Sequence, residues 1–142
     1  MMLAYAKFLG LPLLLAATAA TPPAVTDPPL PANARALLKG TWVSTEDKDN
    51  SIVITDKQYI EKYKGEPDQV HRLTVLTHPC NEKPTAKPSG ELYLKTMSSA
   101  PDAEPYCYAV YQVSATRLAT SMMGGRGNTL SFRRVGPKSP QK

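Results

Sequence analysis

Four features of this sequence could do chemistry: His71 and His78, Cys80 and Cys107, the acidic run Asp47-Lys48-Asp49-Asn50, and the glycine-rich run Gly124-Gly125-Arg126-Gly127-Asn128. The histidines are the only two in the chain and lie seven residues apart on a strand-like pattern. An odd separation along a strand sends side chains to opposite faces, so the two do not chelate one metal. The acidic run has the alternation of a calcium loop. It lacks the central glycine, and position twelve counted from Asp47 is Gln58 instead of a bidentate glutamate, so it reads as a turn. No helix follows the glycine-rich run to hold a phosphate. It reads as a hairpin loop. There is no Gly-x-Ser-x-Gly and no nucleophile beside a base. The sequence therefore predicts a protein that is not an enzyme, with no catalytic residue, no metal site and no cofactor.

The 142 residues carry 17 Lys and Arg against 12 Asp and Glu, a formal charge of +5. The basic residues are spread along the chain, whereas nucleic-acid binding needs a concentrated stripe. Nucleic acid is not an expected partner.

The N-terminus explains the cysteines. Lys7 is followed by an apolar run from Phe8 to Ala20, and Ala17-Thr18-Ala19 offers a small-x-small cleavage site. A membrane span needs about 20 apolar residues, and Pro12 interrupts this run. Residues 1–19 are expected to be a cleaved signal peptide that leaves no stable membrane anchor, giving a secreted or periplasmic protein. Its removal takes one lysine and no acid, so the charge becomes +4 in place of +5. In an oxidising compartment an even pair of cysteines, Cys80 and Cys107, is expected to form a disulfide.

The elements that must position these residues are short. Residues 20–32 hold five prolines and read as an extended linker. Asn33 is a candidate helix cap, Ala34 to Lys39 favour helix, and Gly40 stops it. After Gly40 the chain reads as eight strands with period-two alternation: 41–46, 51–55, 58–63, 69–78, 91–97, 106–113, 116–123 and 129–135. Ile52 and Ile54 share a face, as do Leu73 and Val75, Leu92 and Leu94, and Leu130 and Phe132. Tyr111 falls in phase with Cys107, Ala109 and Val113. Residues 137–142 form a flexible tail.

Hairpin-sized links between strands mean antiparallel neighbours in chain order. An eight-strand meander can close and lose both exposed edges. The alternative is a sandwich, whose crossings need longer connections, and only two loops here are long enough. The expected fold is all-β, an eight-stranded antiparallel up-and-down barrel over residues 33–136 with a short N-terminal helix and one disulfide.

Closure would set the first strand beside the last. Trp42, the only tryptophan, opens the first strand, and Arg134, in phase with Leu130 and Phe132, closes the last. The guanidinium is expected on the indole, a contact of about 0.5–2 kcal/mol. Gly40-Thr41-Trp42, the short helix before it and the returning arginine resemble the lipocalin superfamily and its lipocalin-like relatives. The resemblance covers residues 33–135 and implies an exported barrel that binds a small apolar ligand inside. The domain is shorter than a typical lipocalin and has no C-terminal helix. Avidin-like barrels also begin Gly-Thr-Trp, but their biotin pocket uses several tryptophans.

The expected function is binding of a small, mostly apolar ligand in the barrel interior. Tyr59, Glu61 and Tyr63 share one strand face; if it turns inward, two phenols and a carboxylate form a polar anchor there, with Tyr111 as a further lining residue. The opposite phase, Ile60 inward, stays open. Gly40, Trp42 and Arg134 would close the other end. A second expectation is a protein-binding module, for example an extracellular enzyme inhibitor, using loops 79–90 and 98–105 over a filled barrel.

Overall fold

The computed structural model describes residues 28–84 and 90–136. The expected signal peptide, the first part of the linker, and the tail at 137–142 lie outside the described residues.

Eight strands follow one short helix: α1 (Ala34–Leu38), β1 (Gly40–Ser44), β2 (Asn50–Ile54), β3 (Gln58–Tyr63), β4 (Gln69–Leu76), β5 (Leu92–Ser98), β6 (Tyr106–Val113), β7 (Arg117–Met122) and β8 (Thr129–Arg134). They form a closed barrel in chain order, each pair antiparallel. The seam is β1 on β8, with Trp42 opposite Arg134 and Ser44 opposite Phe132. Closure removes every free sheet edge.

Cross-strand partners share a face, so the register defines the interior. Ile54 pairs with Tyr59, Tyr59 with His71, and His71 with Ser98. Leu94 pairs with Tyr108, and Leu118 with Phe132. The buried core gathers Leu38, Trp42, Ile52, Ile54, Tyr59, Leu73, Leu94, Tyr108, Val110, Val113, Leu118 and Phe132.

One face assignment changes. Strict alternation puts Tyr111 with Val113, but a bulge shifts the β6–β7 register between Val110 and Gln112. The extra residue lets Val113 follow Tyr108 and Val110 inward. Tyr111 stays on the outer wall, 44% exposed.

The helix also differs in its ends. The Asn33 side chain makes no cap hydrogen bond, and Lys39 is already extended. Gly40 is the first residue of β1, with φ +137°.

The Cys80–Cys107 disulfide is formed, with Cα atoms 6.0 Å apart. Cys107 pairs across strands with Lys95 on the outer face, so the bridge straps the start of the β4–β5 connection to the outside of the barrel. The 27-residue separation corresponds to about 3 kcal/mol in the chain-entropy account.

Candidate functional site

One end of the barrel is plugged; at the other, the open end, the inward Glu61 side chain is 41% exposed to solvent. At the closed end Trp42 is fully buried. Its indole Nε1 donates to Leu38 O at 2.8 Å. Arg134 lies over the ring, 4.1 Å from its centroid. The same guanidinium donates to three carbonyls: Ala115 at 2.7 Å, Lys39 at 2.6 Å, and Leu37. The carbonyls of Leu37, Leu38 and Lys39, at and just beyond the helix C-terminus, thus find donors they would otherwise lack. Gly40 is required twice. Its φ lies where side-chain-bearing residues are strained, and a Cβ there would stand 2.3 Å from Arg134 Nη1.

Toward the open end the lumen becomes polar. Tyr59 and Tyr108 stack across it from β3 to β6, ring centroids 5.7 Å apart and planes 15° from parallel. Both phenols are held protonated. Burial is the main cause for each; for Tyr59 the Tyr108 phenol and the Glu61 carboxylate add to it, and for Tyr108 the Glu61 carboxylate and Tyr106. Tyr108 is pushed up to about 12, and Tyr59 is raised further.

Glu61 is the next inward residue after Tyr59, paired with Ile52 and Gln69. Its Oε1 lies 4.0 Å from Nε2 of His71, too long for a hydrogen bond. His71 is 8% exposed, and neither ring nitrogen has a partner. Thr120, inward on β7 and 2% exposed, has an unpartnered Oγ1. A buried polar atom without a partner costs about 1–3 kcal/mol. At the rim a cleft of about 260 Å³ is lined by Asn50, Glu61, Lys62, Tyr63, Glu66, Pro67 and Gln69, so Glu61 is reachable from solvent.

The structure thus decides the phase left open for β3. Tyr59 and Glu61 face the lumen, and Tyr63 follows them to the rim, 47% exposed, where the nearby Asp47 carboxylate raises the pKa of its phenol. Tyr111 does not join them; it faces solvent on the outer wall beside Gln112 and Ala119. His71 was missed as a site residue, although it is in phase with Leu73 and Val75. Thr96 and Thr120 were missed as well; both are inward and buried among aliphatic neighbours. The acidic run is a turn, with Asp47 Oδ1 accepting from Asp49 N at 3.0 Å. Among the described residues no group of three or more His, Cys, Asp or Glu is placed to hold a metal. His78 leans on its own neighbour, its Nδ1 2.9 Å from Pro79 O.

The architecture is an eight-stranded antiparallel β-barrel, compatible with a lipocalin-like fold. Comparison with known protein families, curated proteins and solved structures finds no match.

Proposed function

We propose that the protein is an exported, lipocalin-like binding barrel that takes a small ligand with a mostly apolar body into the open half of its lumen. The observation that carries this reading is His71: a buried imidazole with two unpartnered nitrogens, facing a lumen shared with Glu61, Tyr59 and Tyr108. Small-ligand sites combine apolar walls with a few convergent polar groups. The stacked tyrosines and Phe132 supply the walls here, and Glu61 and His71 supply the polar groups. The disulfide suits an oxidising compartment, in keeping with a cleaved leader at 1–19.

The test uses the neutral dye N-phenyl-1-naphthylamine and the exported, processed protein. The dye is expected to bind saturably at one per barrel. Ser98→Trp adds bulk at the inward position opposite His71 and is expected to block it. Arg72→Trp, on the outer face opposite Met97, is expected to leave binding intact. Absence of saturable binding, or equal binding by both variants, overturns the reading.

A second reading rests on Tyr106 and Met123, which are 50% and 40% exposed beside the disulfide. A protein partner could seat there against the loop at 99–105. Pull-down of a partner that is lost on Tyr106→Ser with Met123→Ser would favour it.

A further inference from the structure

Among the described inward residues no lysine or arginine pairs with Glu61; its one ion-pair contact is His71, Nε2 4.0 Å from Oε1. Among the inward positions defined by the strand register, the formally charged side chains are Glu61 and Arg134. Arg134 is held at the closed end by Trp42 and three carbonyls. The nearest lysine in sequence, Lys62, faces outward and pairs with Asp68 at 2.5 Å. Lys48, Lys64 and Arg126 are exposed loop residues. On the β1–β4 side the rim carries further acids: Asp47, Asp49 and Glu66 all act on the Tyr63 phenol.

The Glu61 side chain is 41% exposed, so water solvates its charge in the free protein and a ligand can reach it. The groups around it complete a recognisable chemistry. Aromatic faces of Tyr59 and Tyr108 attract a cation. The Glu61 carboxylate accepts charge-assisted hydrogen bonds. His71 Nε2 lies 4.0 Å from that carboxylate, in reach of the same N–H-bearing head group. Thr120 Oγ1 is an independent unpartnered atom in the same lumen.

We infer that the ligand of this lumen is a small organic cation, a primary ammonium on an apolar or aromatic body, with Glu61 as its counter-ion and His71 as its second acceptor. This rests on the binding reading above and narrows it to one class. A carboxylate ligand is disfavoured by Glu61 itself, and a neutral ligand would leave that charge uncompensated.

The test is calorimetric titration with three isosteric probes: benzylammonium, benzyl alcohol and benzoate. Benzylammonium is expected to bind at least tenfold more tightly than benzyl alcohol, and benzoate more weakly than both. Glu61→Gln is expected to erase the advantage of the ammonium over the alcohol. A reading that needs no variant is the NMR signal of the two imidazoles in the wild-type protein. Benzylammonium is expected to shift His71 and leave His78 in place. Equal affinity for ammonium and alcohol, an advantage that survives Glu61→Gln, or an unmoved His71 overturns the inference. If the neutral dye binds and benzylammonium has no advantage, the cation assignment alone fails. If neither the dye nor any of the three probes binds, the binding reading fails with it.

Discussion

The two ends of the barrel treat buried polar groups in opposite ways. At the closed end the Trp42 indole, the Arg134 guanidinium and the carbonyls of Leu37, Leu38 and Lys39 satisfy one another. Toward the open end His71 and Thr120 are just as buried, yet His71 Nδ1 and Nε2 and Thr120 Oγ1 have no partner. The first arrangement stabilises. The second costs stability, and a ligand carrying complementary groups would return it. Satisfied and unsatisfied buried polar groups are thus separated along the barrel axis.

Substitutions can break or sharpen that separation. The largest effect is expected from Trp42→Ala, which empties a fully buried indole site and should cost about 3–5 kcal/mol in urea denaturation. An unchanged midpoint would remove the closed end as the stable pole. Gly40→Ala comes next, at about 1–3 kcal/mol, because it combines a strained φ with a collision at Arg134. Loss of the Arg134 contact should also show as changed Trp42 fluorescence.

Alkaline pH addresses the middle of the barrel. The folded protein holds Tyr59 and Tyr108 protonated above the ordinary phenol value of 10.0. The native state therefore keeps protons that the unfolded chain gives up. Stability from this source is complete below about pH 10 and falls as pH rises toward 12. Tyr108→Phe should flatten that decline in thermal unfolding followed between pH 9 and 12. The smallest effect on stability is expected from Glu61→Gln, within about 0.5 kcal/mol of wild type, because its side chain is 41% exposed. A large loss there would mean that the open half also holds the fold together.

Much of this was legible in the sequence. Alternation located all eight strands, and the short links implied a meander. From closure alone Trp42 and Arg134 could be matched across the chain, because the first and last strands must meet. The disulfide followed from an even pair of cysteines in a chain expected to be exported. The site was harder to read. The phase of β3 depends on the hairpin register that sets Ile54 opposite Tyr59, and alternation within 58–63 is equally consistent with either face. His71, Thr96 and Thr120 were masked by their polarity: each sits in phase with aliphatic residues, and only that phase marks it as interior. Tyr111 was misplaced because Val113, with which it alternates, is turned inward by a bulge that no glycine or proline announces.

The seam between β1 and β8 also has a consequence in time. Arg134 reaches Leu37 across 97 residues, so the contacts that finish the barrel join the first element to the last. Non-local pairing of this kind makes folding slow, on the order of milliseconds to seconds. Until β8 arrives, β1 and β7 each present an open edge that can template association with other chains. The last strand is therefore the step at which a nascent chain escapes aggregation, and a truncation before Thr129 should be recovered as aggregate.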